Sequence, residues 1–451
     1  MTHGNEPDSL ARKLGPFAST NIVVANMIGA GIFTTSGLLM ADLRSPLLLL
    51  FLWAFAAILA LCGALCYAEL GATMPKAGGE YAFLSELFHP VAGFLSGWVS
   101  FFVGFSAAIA ASSLGCGEYL AAAFPGLFAW GDPQLLKRLL AIAIIAVFTL
   151  IHVRGLEFGT KIQNILTALK VLLIVVFIAA GFVLGNGDVG HFLEGEAFTF
   201  DFGGFKVIGL SLMWIMFAYS GWNASAYLGS EIRNPERNLP LSLLAGTGVV
   251  AVLYLLLNLL FVYAASPAEM SGVISIHGLT AGNLFGSSMQ TVISLLVAFA
   301  LLSSLSAYII LGPRVYYAMA RDGQFFKIAA RIHPVFRTPY KSIIIQGLIA
   351  SIMVMTGTFD QLLTYLGFSL GIFPLLAVFG VFILRRQGRS RVRMPLYPVA
   401  PAFFLVVSTA ILVLAYLERP VESTIAILTV AAGIPAYFFF TRGSALKGDS
   451  A

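Results

Sequence analysis

Long runs of apolar residues dominate this chain, and short polar segments separate them. A run of about 20 apolar residues is long enough to cross the hydrocarbon core of a bilayer as a helix. The pattern therefore predicts an all-α polytopic membrane protein with twelve transmembrane helices. Their predicted ranges are 17–41, 46–73, 91–123, 135–153, 160–184, 206–229, 240–264, 286–318, 342–358, 361–384, 397–416 and 421–440.

The first and sixth predicted helices are interrupted by glycine among small and polar residues. The two stretches are 27–33 (MIGAGIF) and 217–223 (FAYSGWN). Broken backbone at membrane depth is tolerated only where it is buried in protein or lines a cavity, because lipid offers no hydrogen bonds. A pair of broken helices in corresponding positions of two halves is typical of the substrate site of a secondary transporter.

The positions of the two breaks predict a single transporter domain over residues 1–451 with a 5+5 inverted repeat. Five helices precede the second break, and because five is odd, the second half enters the membrane from the opposite side. The predicted parts are a cytoplasmic N-terminus over 1–16, five-helix repeats over 17–184 and 206–384, accessory helices eleven and twelve over 397–440, and a cytoplasmic C-terminus over 441–451.

Composition and charge support a membrane protein and set its orientation. Hydrophobic residues make up 59% and charged residues 10% of the chain, whereas soluble proteins have about 25% charged residues. The predicted loops carry 20 Lys and Arg residues on one side and 5 on the other. Loops rich in these residues stay in the cytoplasm. The chain is therefore predicted to lie in the plasma (bacterial inner) membrane with both termini on the cytoplasmic side. The net charge of +5 follows from this bias and does not indicate nucleic-acid binding.

Residues 75–90 form a segment that is too short and too polar to span a membrane. Apolar and charged residues alternate in it at helical spacing. This pattern predicts a short helix that lies on the inner surface of the membrane.

The first break can supply a binding site for an anion. Unwinding at Gly29, Ala30 and Gly31 exposes the N–H groups that begin the outer half-helix, and such groups favour a carboxylate. The carbonyls just before the break can accept from an ammonium group. Close packing of small residues is the plainer interpretation. A GxGxxG nucleotide loop is not indicated, because Thr34 stands in place of its third glycine.

The second break offers hydrogen-bond acceptors and aromatic rings. Gly221 permits a turn that frees the carbonyls of Phe217, Ala218 and Ser220, and Asn223 adds a polar side chain. The rings at 217 and 222 can line or cover a cavity. For Trp222, simple apolar filling is an equally good interpretation.

Lys170 is predicted near the middle of the fifth helix, roughly 14 Å beyond Lys161 at a rise of 1.5 Å per residue. A lysine at that depth costs on the order of 2.5–3.5 kcal/mol and usually has a function. It can act as a proton carrier or as a fixed cation in place of a metal ion, with snorkelling to the surface as the alternative. Its candidate oxygen partners are Ser303 and Ser304 in helix eight.

No acidic residue is predicted at the depth of the two breaks, which favours neutral over cationic substrates. Sodium prefers several oxygen ligands, often with a carboxylate, although backbone and hydroxyl oxygens alone remain possible ligands. The histidines show no metal-ligand spacing, and Cys62, Cys66 and Cys116 are interpreted as core side chains. No nucleotide, hydrolase or kinase motif is present. The sequence therefore predicts no catalytic residue, no cofactor and no metal.

Several stretches, in this order, resemble the amino acid–polyamine–organocation transporter superfamily, and within it the L-type amino acid transporters. They are MIGAGIF, YAEL followed by PKAGGEY, FAYSGWN, EIRNPERNLP at 231–240, and GPRVYYAMARDG at 312–323 followed by HP and RTP. The resemblance implies the leucine-transporter fold, with the substrate held between broken helices one and six.

The resemblance also implies roles for single residues. The N–H groups of the first break would bind the substrate carboxylate, and carbonyls of both breaks would bind its amino group. Phe217 corresponds to a gating aromatic, with Trp222 beside it, and Lys170 to a lysine that replaces a sodium ion next to Ser304. The predicted substrate-binding residues are Met27, Ile28, Gly29, Ala30, Gly31, Phe217, Ala218, Ser220 and Asn223.

The chain departs from the pattern of these transporters at three places. Ala30 replaces a more usual serine, and Ser220 occupies a position that is often glycine, which would shrink the pocket toward small substrates. Eukaryotic relatives pair with a glycoprotein through a cysteine between helices three and four. Residues 124–134 contain no cysteine, so no disulfide-linked heavy subunit is expected.

These features predict a carrier, without enzymatic activity, for small neutral L-amino acids. Sodium-independent exchange by alternating access is the first interpretation. Proton-coupled symport with Lys170 as the proton carrier is the alternative. A channel or sensor would need a filter repeat or a ring of charges, and a membrane-embedded enzyme would need a nucleophile and base; the sequence indicates neither.

Overall fold

The computed structural model describes residues 10–286, 289–356 and 359–445, and the regular elements in these ranges are helices. Within them, ten spans are long and apolar enough to cross a membrane. Two shorter apolar helices accompany these spans, Phe202–Ala218 and Tyr340–Thr356. The chain is therefore an all-helical polytopic membrane protein, as its apolar pattern predicts.

The α-helices of the described residues are numbered in chain order. A π-helical stretch, Ser100–Ala107, joins the fifth to the sixth. Their bounds are α1 Pro16–Met27, α2 Ala30–Leu43, α3 Pro46–Thr73, α4 Glu80–Leu87, α5 Pro90–Val99, α6 Ala108–Ala123, α7 Pro133–Val153, α8 Leu156–Leu184, α9 Phe202–Ala218, α10 Pro235–Ala264, α11 Pro267–Met270, α12 Ile276–Phe285, α13 Gln290–Arg321, α14 Tyr340–Thr356, α15 Phe359–Arg386, α16 Val399–Glu418 and α17 Pro420–Ala445.

Most helices follow their predicted ranges, with differences at the ends. The seventh helix was predicted to begin at Pro240. It begins at Pro235 in the structure, and Pro240 lies inside it. Proline is well tolerated in the first position of a helix because the N–H group that it lacks has no partner there. Parts of four predicted segments lie outside the described residues, namely 1–9, 287–288, 357–358 and 446–451.

The short helix predicted within 75–90 exists as α4, but its predicted place on the membrane surface is wrong. Glu80, Tyr81, Phe83 and Leu84 are all buried in the protein. Protein groups replace water at some of its polar side chains, for example the Tyr81 hydroxyl, which donates to Asp322 at 2.6 Å. Alternating apolar and polar positions fit a buried helix equally well when neighbouring elements supply polar partners.

The first predicted transmembrane helix is divided into α1 and α2, and it lies at the centre of the molecule. Its candidate span is 89% buried, compared with 11% for Pro420–Thr441 at the other end of the chain. The helices α8, α10 and α13 pack against α1, while α9 and α3 pack against α2. A segment that no lipid can reach is free to leave the helical conformation if its neighbours satisfy its backbone.

Two stretches from the sequence analysis meet in a buried ion pair. The guanidinium of Arg314, in GPRVYYAMARDG, donates to both carboxylate oxygens of Glu231, in EIRNPERNLP, at 2.7 and 3.1 Å. The N–H groups of Lys13 and Leu14 donate to the carbonyl of Glu231 at 2.9 Å. Together these bonds tie the segment before α1 and the loop before α10 to α13.

Candidate functional site

The first break lies between α1, which ends at Met27, and α2, which begins at Ala30. Ile28 and Gly29 leave the helical conformation, and the N–H of Gly29 donates to the carbonyl of Met27 at 2.9 Å. No side chain caps the first turn of α2. The N–H groups of an uncapped helix N-terminus attract anions such as carboxylates.

The second break follows the end of α9 at Ala218. Residues 219–223 form turns, and a 3-10 helix then covers Ala224–Tyr227. Gly221 has a φ of +103°, which residues with a side chain rarely adopt. A Cβ atom on it would lie 2.4 Å from Nδ2 of Asn26. Both its backbone conformation and the space around it therefore require glycine.

Gly31 brings the two breaks together. A Cβ atom on Gly31 would lie 2.6 Å from the Cα atom of Ala218, closer than packed atoms can come. A Cβ atom on Gly29 would instead make an ordinary contact of 3.5 Å with the Tyr308 hydroxyl. The start of α2 thus touches the end of α9 because position 31 has no side chain.

Most carbonyls that the sequence analysis assigns to an amino group already have donors from the protein. The Tyr254 hydroxyl lies 2.7 Å from the carbonyl oxygen of Met27 and 3.1 Å from that of Ala218. A hydroxyl has one hydrogen, so it can fully satisfy only one of them. The Phe217 carbonyl accepts from the N–H of Ser220 at 3.0 Å. Within the described residues, the carbonyl of Ser220 has no hydrogen-bond donor.

Lys170 is buried beside the first break and is surrounded by oxygen atoms. Its Nζ donates to the carbonyls of Ile28 at 2.8 Å, Ala25 at 3.1 Å and Ala300 at 3.4 Å, and to the hydroxyl of Ser304 at 3.1 Å. All four partners can accept hydrogen bonds, which suits an ammonium group with its three N–H donors. The ammonium therefore supplies the hydrogen bond that the broken helix cannot give to Ile28.

The two serines predicted as partners of Lys170 behave differently. Ser304 contacts Lys170 and also donates to the Ile28 carbonyl at 2.6 Å. Ser303 points elsewhere, and its carbonyl and hydroxyl accept from the amide of Gln163 at 3.1 and 3.4 Å. Adjacent residues of a helix face different directions, so only one of the pair can reach the lysine.

A cavity of about 150 Å³ lies beside the two breaks. It is bounded by parts of α1, α2, α4, α5, α6, α9, α13, α15 and α16, by the π-helical stretch and by the second break. An apolar cavity of about this volume holds a molecule the size of benzene. The predicted site residues that line it are Ala30, Phe217, Ser220, Trp222 and Asn223. Those that do not line it are Met27, Ile28, Gly29, Gly31 and Ala218.

The two aromatic residues predicted as gates have different surroundings. Trp222 is buried, and its ring makes edge-on contacts with Tyr67 at 4.9 Å and Phe404 at 5.6 Å between centroids. Phe217 is half-buried and has one aromatic neighbour, Trp214, at 6.5 Å. Trp222 thus forms a fixed part of the cavity wall, whereas Phe217 has more room to move.

The sequence analysis missed Glu80, which lines the cavity from α4. Its Oε1 accepts from the Tyr67 hydroxyl and from the side-chain amide of Asn223, both at 2.7 Å. The prediction that no acidic residue lies at the depth of the breaks is therefore wrong, and the absence of an acid no longer supports neutral over cationic substrates. The sequence shows this glutamate directly after two glycines in PKAGGEY. It does not show its hydrogen-bond partners, which come from other segments of the chain.

Tyr254 and Asn26 also lie at the breaks without having been predicted. Tyr254 lies in the apolar run 251–257 of α10, and Asn26 lies in the apolar run 22–28 of α1. The Oδ1 atom of Asn26 is buried and has no hydrogen-bond partner among the described residues, and its side chain lines the cavity. A lone polar residue in an apolar run is the only sequence signal for either one.

Potential metal ligands are scattered. In the part of the chain that the structure describes, no three His, Cys, Asp or Glu side chains are grouped so that they could hold a metal ion. Cys62, Cys66 and Cys116 are free thiols in apolar surroundings. The cationic group beside the first break is the ammonium of Lys170.

The helices define a polytopic membrane protein with a cavity beside two adjoining helix breaks. The sequence model for amino acid permeases matches residues 14–437. The chain belongs to this family of amino acid permeases, which is part of the superfamily that its motifs resemble.

Three relatives are similar to the chain over most of their length. The b(0,+)-type amino acid transporter 1 of Mus musculus is 30% identical over 447 residues, covering 97% of this chain and 90% of the relative. The serine/threonine exchanger SteT of Bacillus subtilis is 30% identical over 439 residues, covering 96% and 98%. The large neutral amino acids transporter small subunit 2 of Mus musculus is 28% identical over 434 residues, covering 95% and 81%. Family and relatives support amino acid transport as the general activity.

Proposed function

We propose that this protein exchanges small neutral L-amino acids across the membrane, independently of sodium, by alternating access. The observation that carries the proposal is the cavity at the junction of two broken helices. The N–H groups of the first turn of α2 suit a carboxylate, and Ala30 of this turn lines the cavity. Ser220 also lines the cavity, and its carbonyl, which has no donor among the described residues, suits an ammonium group. An α-amino acid carries both groups on one carbon atom.

The Tyr254 hydroxyl holds the two breaks together beside the proposed site. It lies within hydrogen-bond distance of the carbonyls of Met27 and Ala218, and neither residue lines the cavity. The Met27 carbonyl also accepts from the N–H of Gly29. In the proposal, the carbonyl of Ser220 is therefore the one that receives the substrate ammonium, and binding of substrate adds a donor to the second break.

The surroundings of Lys170 favour exchange over proton symport. A proton carrier must lose its proton in part of the cycle, and a neutral amine would have only two N–H donors for four oxygen neighbours. Its four oxygen neighbours are three carbonyls and one hydroxyl, and a carboxylate that could take up the proton is not among them. Lys170 therefore acts as a permanent cation, in the place that the family resemblance gives to sodium.

The size of the cavity favours small substrates. Phe217, Trp222 and Phe404 narrow it with rings, and Ser220 adds a side chain at a position of the second break. The exchanger SteT, a relative of 30% identity, is named for serine and threonine. We therefore take L-serine, L-threonine and L-alanine as the first substrates to test.

The proposed architecture is the leucine-transporter fold with twelve spans. Residues 17–184 and 206–384 form the inverted repeats, and 397–440 add two accessory helices. Both termini are cytoplasmic, as the distribution of Lys and Arg predicts. The proposal includes no disulfide-linked heavy subunit, because residues 124–134 contain no cysteine.

Uptake into proteoliposomes tests the proposal. Purified protein is reconstituted, and entry of labelled L-serine is measured into empty vesicles, vesicles loaded with unlabelled L-serine, and empty vesicles with an imposed pH gradient. We expect rapid entry only into loaded vesicles, without a need for sodium. Vesicles containing Lys170→Ala protein serve as the inactive control.

Other results would overturn specific parts of the proposal. Gradient-driven entry into empty vesicles would establish proton symport. Faster entry of L-arginine than of L-serine would contradict the neutral substrate class. Steady currents under voltage without exchange would indicate a channel.

A further inference from the structure

Glu80 is a buried carboxyl group that the proposed transport cycle does not use. It is 5% exposed, it begins α4, and it borders the cavity. Its Oε1 accepts from Asn223 and Tyr67, and its Oε2 lies 3.5 Å from the Ser96 hydroxyl. The carboxyl thus joins the second break to α3 and α5.

The neighbours of Glu80 are neutral. Within the described residues, no Lys, Arg or His nitrogen lies within 4 Å of its carboxylate, and α5 contains no ionisable residue. Its titratable neighbours are the phenols of Tyr67 and Tyr227. Of the arginines on α13 and α15, which pack against α4, Arg314 pairs with Glu231 and Arg385 with Glu69. Arg321 donates to the Tyr317 hydroxyl, and Arg386 is exposed.

Burial raises the pKa of the Glu80 carboxyl above its usual value, while hydrogen bonds from Tyr67 and Asn223 act in the opposite direction. A carboxyl that is buried without a cation takes up a proton more readily than an exposed one. Protonation of Glu80 therefore occurs closer to neutral pH than that of a surface glutamate.

Asn223 transmits the state of this carboxyl to the cavity. Its Nδ2 donates to Glu80 at 2.7 Å and lies 3.4 Å from the Tyr227 hydroxyl. With Nδ2 engaged within the protein, the Oδ1 atom is the part of the amide that can accept from a ligand in the cavity. An ionised Glu80 only accepts hydrogen bonds, so it holds the amide in this orientation.

We propose that Glu80 is a proton-binding positioning residue, which presents Oδ1 of Asn223 to the substrate when it is ionised. When Glu80 gains a proton, its O–H becomes a donor that can bond to Oδ1 of Asn223, and the substrate loses this acceptor. Uptake of a proton by the carboxyl therefore weakens binding of the amino acid. The inference rests on the proposed function, since it assigns pH regulation to the same amino acid site.

The test is the pH dependence of L-serine exchange in loaded proteoliposomes, with KM and maximal rate measured separately. For the natural protein, we expect KM to rise about fivefold as the pH falls from about 8 to about 5. A fivefold change corresponds to the free energy that one hydrogen bond contributes. The maximal rate should change less. Glu80→Gln cannot ionise, so its KM should stay flat over the same range.

Glu86→Gln is the matched control on the same helix. Glu86 lies at the surface in ion pairs with Lys76 and Arg389, so this variant should keep the natural pH profile. A flat profile in the natural protein, or the natural profile in Glu80→Gln, would overturn the inference while leaving amino acid exchange intact. Absence of exchange by the natural protein would overturn the proposed function as well.

Asn223→Ala, alone and combined with Glu80→Gln, tests whether Glu80 affects substrate binding through the amide of Asn223. Asn223→Ala should raise KM at high pH and remove its pH dependence, because the acceptor is then missing in both states. Adding Glu80→Gln to Asn223→Ala should change neither KM nor its profile. A pH dependence that persists in Asn223→Ala and disappears only in the double variant would show that Glu80 does not act through the amide.

Discussion

The two helix breaks adjoin one cavity, but the protein holds them in different ways. At the first break, the Ile28 carbonyl accepts from the ammonium of Lys170 and the hydroxyl of Ser304. At the second break, Asn223 donates to the carboxyl of Glu80. One break is thus bound by a cation on α8 and a hydroxyl on α13, and the other by a carboxyl on the short helix α4.

This difference indicates a division of roles. In the proposed cycle the ammonium of Lys170 stays charged, because its four carbonyl and hydroxyl neighbours all accept hydrogen bonds. A carboxyl with neutral partners can exist in two protonation states. We therefore expect variants at the first break to change the rate of transport at every pH, and variants near Glu80 to change how binding depends on pH.

The largest effect is expected for Lys170→Ala, which removes the cation from the first break. The carbonyls of Ile28 and Ala25 would lose a charged donor inside the membrane, where hydrogen bonds to charged groups contribute about 1.5–3 kcal/mol each. Exchange of L-serine should fall by roughly 100-fold or more. Lys161→Ala, an exposed residue on the same helix, should retain exchange. Exchange by Lys170→Ala at more than half the natural rate would contradict the role given to the lysine.

Alanine substitutions at two glycines of the first break test whether exchange depends on the close packing of Gly31 against Ala218. Gly31→Ala forces a methyl group against Ala218, whereas Gly29→Ala has space beside Tyr308. Overpacking costs about 1–3 kcal/mol, so Gly31→Ala should lower exchange about tenfold and lower the melting temperature in detergent. Gly29→Ala should stay within about twofold of the natural rate by the same reasoning. Equal losses in both variants would show that the breaks do not adjoin at position 31.

Tyr254→Phe tests the hydroxyl that the two breaks share. It removes the donor to the carbonyls of Met27 and Ala218 and keeps the ring. Exchange should fall about fivefold, because this factor corresponds to the free energy that one hydrogen bond contributes. Tyr416→Phe, at a half-exposed position of α16, is the matched control. An unchanged rate in Tyr254→Phe would mean that the breaks do not depend on this bond.

The smallest effect is expected for the adjacent serines of α13. Ser304→Ala removes a donor to Ile28 and a partner of Lys170, so exchange should fall about two- to fivefold. Ser303→Ala keeps the carbonyl that binds Gln163 and loses only the weaker contact at 3.4 Å, so exchange should be close to natural. Kinetics in the same vesicles compare the two. A larger loss in Ser303→Ala would reverse the assignment.

The sequence predicted those features that depend on local pattern. Apolar runs located the spans, glycine among polar residues located both breaks, and helical spacing placed Lys170 near the middle of its helix. The pairing of Lys170 with Ser304 was among the predicted alternatives. These features could be found because depth along a helix follows from the number of residues.

Features that depend on distant partners could not be predicted in the same way. The sequence around Glu80 predicts a surface helix. The hydroxyl and amide that bind its carboxyl belong to Tyr67 and Asn223, and the local pattern does not show these partners. Tyr254 gave no signal beyond being a polar residue in the apolar run 251–257. The pattern also did not show that protein donors already satisfy the carbonyl of Met27. In each case the partner lies on another helix, at a separation that no periodicity encodes.

The central claim is that the amino acid occupies the cavity between the two breaks, and protected labelling tests it most directly. Cys62, Cys66 and Cys116 are first replaced by alanine, and Ser220→Cys is added. A membrane-impermeant maleimide is then applied with and without L-serine. Ala129→Cys, at an exposed position in the loop after α6, is the control.

The account predicts that L-serine slows labelling at position 220 in proportion to its occupancy and leaves labelling at position 129 unchanged. Equal labelling at position 220 with and without L-serine, in a variant that still exchanges L-serine, would contradict the claim that the substrate binds between the breaks.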